Sequence, residues 1–80
     1  MGYRGPMERL AWWWNGNWGT GNRRDVWLER DAEKIYVRWR SWEWRDRDGL
    51  YWTTDPTRAV EALKALLGEE RTGWRETIYF

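Results

Sequence analysis

The stretch KIYVRWRSWEW, residues 34–44, decides how this chain folds. Its residues alternate in character, and alternation with period two predicts a β-strand, because successive side chains on a strand point to opposite sides. One side carries Ile35, Val37 and Trp39, which are core residues by type. The other side carries arginine and aromatic side chains, namely Tyr36, Arg38, Arg40, Trp42 and Trp44. We therefore expect one face to be buried and the other, the predicted binding face, to be available for recognition.

Around this strand the sequence predicts further strands at residues 8–14, 25–31 and 50–54, with Asp48 and Gly49 as a turn signal before the last. A helix is predicted over 56–67, because Asp55 is a good N-cap, Pro56 suits the first helical position and Gly68 suits the C′ position. The predicted fold class is α+β, an antiparallel sheet of about four strands with one C-terminal helix packed on one face. Residues 69–80 are expected either to add an edge strand through 77–80 or to stay mobile.

The predicted core lies between the apolar side of the sheet and the helix. On the sheet side we expect Val26, Leu28, Ile35, Val37, Trp39, Leu50 and Trp52. On the helix side we expect Val60, Leu63 and Leu67, which recur at helical spacing. A cross-strand charge pair between Glu29 and Arg38 or Arg40 is also expected.

Composition limits the classes of function. The chain has 80 residues with no cysteine and no histidine, so disulfides, thiolate zinc sites and imidazole ligands are excluded, and we expect neither metal nor cofactor. A chain this short makes a single domain, 1–80, with a thin core and a loose lead-in at 1–7. Its ten tryptophans exceed what a thin core encloses, so several rings should be partly exposed. Exposed rings in clusters are typical of binding or self-association surfaces.

Charge and hydropathy narrow the classes further. The net charge of +1 argues against a histone-like protein. Residues 34–47 nevertheless form a basic island with five basic and two acidic residues. No apolar run is long enough to span a membrane, and the first residues lack the apolar core of a signal peptide. Absence of cysteine suits a reducing compartment, so we expect a cytoplasmic protein.

No pattern indicates catalysis. An enzyme needs a nucleophile, a tuned acid–base pair or a metal. The acidic pairs Glu69–Glu70 and Asp46/Asp48 lie in turn-like sequence and are expected to be solvated. The glycines of residues 15–22 do not match a phosphate-binding loop. We therefore expect a protein without enzymatic activity.

Three kinds of ligand fit the predicted binding face or its neighbours. The first is another protein or a second copy of the chain, since tryptophan and arginine dominate interface hot spots, and a homodimer would cover the open sheet edge. The second is single-stranded nucleic acid, whose bases stack on aromatic rings while a rim of arginines contacts phosphates. The predicted rim comprises Arg23, Arg24, Arg45 and Arg47. The third is carbohydrate, which would lie on Trp12, Trp13, Trp14 and Trp18 beside Asn15 and Asn17.

Two resemblances accompany this interpretation. Residues 50–68, LYWTTDPTRAVEALKALLG, resemble the strand-then-capped-helix endings of small uncharacterised proteins of GC-rich actinobacteria and their phages. The order strand–strand–strand–helix, with strands rich in arginine and tryptophan, resembles in outline the dimeric coactivator family that binds single-stranded DNA through a curved sheet. The first resemblance implies an accessory or regulatory protein, such as a phage-type inhibitor of a host protein. Neither assigns a role to any residue.

Overall fold

The computed structural model describes residues 7–16, 23–41 and 48–79, which form an antiparallel sheet with one helix packed against it. The predicted α+β fold class is confirmed, with five strands in the sheet instead of about four. The spatial order of the strands is β4-β3-β2-β1-β5. Along the chain the elements are β1 (Glu8–Trp14), β2 (Arg24–Arg30), β3 (Ile35–Ser41), β4 (Gly49–Thr53), α1 (Pro56–Leu67) and β5 (Arg75–Ile78). Within the described ranges, no helix is long and apolar enough to cross a membrane.

The core lies between α1 and one face of the sheet. Val37, at the middle of β3, is completely buried, and Leu63 and Leu67 of α1 belong to the same buried cluster. The other buried members are Ala11, Trp13 and Val26, with Leu28, Trp39, Ala62, Leu66 and Trp74 packed around them. The alternation predicted for β3 is therefore confirmed over its described part, because its odd-numbered residues face the helix.

Local sequence signals fix both ends of α1 as predicted. The carboxylate of Asp55 accepts a hydrogen bond from the amide of Thr57 at 2.9 Å, which satisfies one of the free donors of the first turn. Pro56 is the first helical residue. At the other end Gly68 has a φ of 81° and donates its amide hydrogen to the carbonyl of Lys64 at 2.9 Å. Glycine reaches this left-handed conformation without a Cβ clash.

The prediction that Leu50, Trp52 and Val60 belong to the core is wrong. Leu50 and Trp52 are 56% and 52% exposed, because β4 pairs them with Arg38 and Tyr36 on the face away from α1. Directly opposed residues of antiparallel strands project from the same face, so this register places Gly49, Tyr51 and Thr53 on the helix side. Val60 is 46% exposed, since α1 buries Ala59, Leu63 and Leu67 instead.

The prediction that Gly49 belongs to a turn with Asp48 is also wrong. Gly49 is the first residue of β4, directly opposite Trp39. A Cβ atom built on Gly49 would lie 2.1 Å from the Trp39 ring, far inside van der Waals contact. The glycine therefore gives an indole ring room to lie across the strand, an arrangement in which an aromatic residue covers a cross-strand glycine.

The segment after the helix forms β5, which starts two residues before the predicted 77–80 and pairs with β1. Two contacts fasten it. The indole Nε1 of Trp13 donates to the Glu76 carboxylate at 2.7 Å, and the amide of Tyr79 donates to the carbonyl of Leu10 at 3.0 Å. β5 therefore covers one edge of β1 and ties the end of the described chain to the core.

Candidate recognition surface

The face of the sheet opposite α1, called the outer face below, combines arginine, tryptophan and acidic side chains. The strand register determines its membership, because opposed residues share a face. From β4 to β5 it contains Leu50 and Trp52; Tyr36, Arg38 and Arg40; Asp25, Trp27 and Glu29; Arg9, Trp12 and Trp14; and Arg75 and Thr77.

An irregularity in β1 helps to assemble this face. The register between β1 and β2 shifts at Leu10, so that Arg9 opposes Glu29 while Ala11 opposes Leu28. A bulge of this kind inserts one unpaired residue and changes the parity of the strand. Arg9 and Trp12 consequently lie on the same face although three positions separate them, and Ala11 and Trp13 enter the core.

Glu29 is the first of two buried carboxylates on the outer face, at 7% exposure. Arg9 and Arg38 each approach its Oε2 atom to 3.1 Å. The same two guanidinium groups lie 5.6 and 4.9 Å from the ring of Trp27, in cation–π contact. Glu29, Trp27 and the two arginines thus hold one another in fixed positions. The Nε atom of Arg38 is the buried side-chain polar atom that lacks a hydrogen bond in the described part of the chain.

Asp25, at 1% exposure, is the second buried carboxylate and organises the other half of the outer face. It accepts hydrogen bonds from the indole of Trp12 at 2.8 Å and from Nε of Arg23 at 3.1 Å. Arg23 also lies 4.8 Å from the ring of Trp14, whose other neighbours include Trp12 in a stacked pair at 6.2 Å. Arg75 approaches Trp14 at 5.4 Å. The result is a layer in which rings and guanidinium groups alternate above a buried acid.

The structure brings together part of the predicted binding face. Tyr36, Arg38 and Arg40 all lie on the outer face, and Arg38 forms the expected pair with Glu29. Arg40 is the more exposed of the two arginines and pairs with Asp48 at 3.5 Å. Trp42 and Trp44 lie outside the described residues.

The predicted rim divides in a similar way. Arg23 lies within the outer face, bound to Asp25, with its side chain only 20% exposed. Arg24 opposes Ser41 and shares the helix-facing parity of Val26, at the exposed start of β2. Arg45 and Arg47 lie outside the described residues.

A hydrogen-bonded hairpin connection supports the β3 end of the outer face. The Asp31 carboxylate accepts bonds from the amides of Glu33 and Lys34, both at 2.8 Å, and from the hydroxyl of Tyr36 at 2.7 Å. These bonds, led by that from the Glu33 amide and followed by that from Tyr36, hold the pKa of Asp31 below its ordinary value. The bond to Asp31 raises the pKa of the Tyr36 hydroxyl.

The β4 end of the outer face is the apolar end. Leu50 and Trp52 are both more than half exposed, and the ammonium of Lys34 lies 4.2 Å from the Trp52 ring. Beside Leu50 a shallow depression of about 270 Å³ opens. Its lining includes Trp27, Arg38, Arg40, Asp48 and Leu50. Exposed apolar groups therefore adjoin fixed arginines on one continuous surface.

Sequence reasoning missed most of the outer face beyond β3. Trp27 and Glu29 alternate with Val26 and Leu28, so the period-two pattern of β2 places them away from the core but does not show that Glu29 is buried between two arginines. Asp25 shares their parity, but its burial depends on Trp12 and Arg23, which lie on other parts of the chain. The bulge at Leu10 and the register of β4 have no counterpart in the pattern of a single strand.

Comparisons with protein-family models, with curated proteins and with solved structures found no match for this chain. Within residues 7–16, 23–41 and 48–79, no group of three or more acidic side chains is placed to hold a metal ion.

Proposed function

We propose that this protein is a non-enzymatic recognition module that binds another protein through its outer face. The observation that carries the proposal is the apolar end of that face. Leu50 and Trp52 are more than half exposed directly beside Arg38 and Arg40. Large exposed apolar side chains next to ordered arginines are the composition of interface hot spots.

The outer face is also pre-organised for binding. Buried Glu29 fixes Arg9 and Arg38, and the stacked rings limit the rotamers of these long side chains. Ordering a flexible arginine on association costs about 0.5–1.5 kcal/mol. Because much of that ordering is already present in the fold, the surface loses less entropy when a partner binds.

The same contacts favour protein over single-stranded nucleic acid. A base needs an open ring face on which to stack. Guanidinium groups already cover Trp27 and Trp14 at 4.9 and 4.8 Å. The charges of Arg9, Arg38 and Arg23 are also partly neutralised by the two buried carboxylates, which weakens attraction to phosphates.

The test uses a substitution at Arg40, whose side chain is 45% exposed and pairs with Asp48 at 3.5 Å. The full chain is immobilised, and nuclease-treated extract is passed over it. Arg40→Glu is expected to reduce the retained partner at least tenfold, because it reverses a charge at the centre of the proposed interface. Arg58→Glu makes the same charge change on the exposed surface of α1, at 69% exposure, and should retain the partner.

Circular dichroism of both variants checks that the fold is preserved. A parallel titration of tryptophan fluorescence with single-stranded oligonucleotides at low salt measures the competing ligand. Saturable quenching that Arg40→Glu removes, or equal loss of the protein partner in both variants, contradicts the proposal.

A further inference from the structure

The two edges of the sheet differ in how they are protected against pairing with another chain. β5 forms one edge with the sequence RETI, and its charges at Arg75 and Glu76 discourage addition of a strand. β4 forms the other edge with GLYWT, which carries no charge, no proline and three consecutive large apolar side chains. Leu50, Tyr51 and Trp52 are all exposed. Among the described residues no strand covers this edge.

We propose that β4 pairs with β4 of a second copy of this chain, in antiparallel orientation about a two-fold axis at Tyr51. This interface runs along the backbone edge of β4. It shares Leu50 and Trp52 with the partner surface of the proposed function but needs no other protein. The pairing joins two five-stranded sheets into one sheet, so the outer faces of both copies become continuous.

The residue pattern of β4 is complementary to itself in this register. With Tyr51 opposite its own counterpart, each Leu50 opposes Trp52 of the second copy, and each Gly49 opposes Thr53. Both apolar pairs lie on the outer face, where Leu50 and Trp52 are exposed in the single chain. Moving the two-fold axis by one residue, which shifts the register by two, would place Leu50 or Trp52 opposite itself. The remaining one would then oppose Asp48 or Thr54 and lack an apolar neighbour.

The charges beside β4 are complementary in the same register. Asp48 precedes β4, and Thr54 of the second copy would oppose it. Lys34 lies beside the other end of β4, held 4.2 Å from the Trp52 ring. Lys34 in each copy thus lies at the same end of the interface as Asp48 of the other, which pairs with Arg40 of its own copy at 3.5 Å. Opposite charges therefore lie together at each end of the interface. A head-to-tail pairing of β4 with β5 would instead set Arg75 and Glu76 against the apolar strand.

Single-cysteine variants test the register, because the natural chain contains no cysteine. Opposed Cα atoms in an antiparallel pair lie roughly 4.5–5.5 Å apart, within the range that a disulfide spans. Under mild oxidation, Tyr51→Cys is expected to give a covalent dimer. Leu50→Cys is the matched control on the same strand. Because Leu50 opposes Trp52 of the second copy, the two cysteines at position 50 would be offset by two residues, roughly 7 Å along the strands. Thr77→Cys on β5 is the control for random collision.

Sedimentation equilibrium of the unsubstituted chain measures the assembly directly. We expect a concentration-dependent shift through the micromolar range from 9.9 kDa to twice that mass. Arg58→Glu, on the exposed surface of α1, should dimerise as the natural chain does. The dimer is measured with no other protein present, so failure of the proposed partner surface and failure of this dimer are separate results. A monomer at every concentration, larger polymers, or linking of Leu50→Cys or Thr77→Cys as fast as Tyr51→Cys overturns the proposal.

Discussion

At the scale of single residues, Gly49 shows how the absence of a side chain determines where a neighbouring ring can lie. The ring of Trp39 occupies the space where any larger residue would place its Cβ atom. Replacing Gly49 by alanine therefore forces the indole or the strand to move. Overpacking of this kind costs about 1–3 kcal/mol. We expect Gly49→Ala to lower the free energy of unfolding by that amount, measured by urea denaturation.

The control for this prediction is Gly73→Ala, at a glycine where an added Cβ meets no atom within 4 Å but φ is 86°. Its cost should reflect the left-handed backbone alone, about 1–2 kcal/mol. The double variant Gly49→Ala with Trp39→Leu distinguishes the two causes, because a smaller residue at 39 removes the clash. If Gly49→Ala costs the same with leucine at 39 as with tryptophan, the packing explanation is wrong.

Arg38 and Arg40 show what a residue pattern does not contain. Both alternate with core residues in the same strand, so the sequence predicts the same role for each. In the structure Arg38 is bound to buried Glu29 and stacked on Trp27, whereas Arg40 pairs with the exposed Asp48. The difference arises from Trp27 and Glu29 of β2 and from Asp48 just before β4, and cross-strand neighbours are set by register. Arg38 therefore belongs partly to the fold, and Arg40 is the better probe of binding.

At the scale of helices and strands, the sequence predicts an element most accurately when its bounds depend on residues close together in the chain. The bounds of α1 agree with the prediction at both ends, because Asp55, Pro56 and Gly68 act through bonds within a few residues. The strands were placed to within a residue or two where the structure describes them. The parity of β4 was wrong, since only its pairing with β3 decides which of its side chains join the core.

The hairpin connection between β2 and β3 predicts a specific response to pH. The pKa of Asp31 is lowered in the fold, so its contribution to stability is present above its ordinary pKa of 3.8 and is lost as pH falls through the lowered value. The pKa of Tyr36 is raised, so its contribution is present below its ordinary pKa of 10.0 and is lost as pH rises through the raised value. Stability should therefore decline at both extremes. At low pH the loss comes first from the Glu33 amide bond and then from the Tyr36 bond, and at high pH it comes from the Tyr36–Asp31 bond.

The variant Tyr36→Phe separates this bond from other titrations. It is expected to move the pKa of Asp31 part of the way back toward 3.8, because the Glu33 amide still donates to the carboxylate. The shift is followed by NMR of the side-chain carboxyl. Tyr79→Phe, at a tyrosine that is 48% exposed, is the control and should leave the Asp31 titration unchanged. An Asp31 pKa that does not respond to Tyr36→Phe rules out the assigned hydrogen bond.

At the scale of the whole molecule, two different layers stabilise the sheet. The face under α1 is held by apolar burial around Val37, as the alternation of β3 predicts. The outer face is held by two buried carboxylates and the arginines and indoles that surround them. A composition rich in tryptophan and arginine does not reveal this second layer, because its contacts join residues from every strand except β4.

The last element of the fold, β5, protects the first, and removing it tests this dependence. Trp13 is only 3% exposed, and its indole N–H donates a hydrogen bond to the Glu76 carboxylate. Trp74, just before β5, packs against the core. A chain that ends at Gly73 leaves that donor unpaired and opens the apolar edge of β1. An unpaired buried donor alone costs about 1–3 kcal/mol, so we expect a loss of more than about 2 kcal/mol in unfolding free energy once the packing of Trp74 is lost too.

Light scattering should also show concentration-dependent aggregation of this shortened chain, since β1 would present an unprotected edge that contains three consecutive tryptophans. Glu76→Gln is the matched full-length variant: its side-chain oxygen can still accept from Trp13 while β5 remains paired, so it should neither aggregate nor lose as much stability. If the shortened chain forms no assembly larger than those of the full-length chain and is as stable as Glu76→Gln, β5 is an accessory strand and the edge of β1 needs no cover.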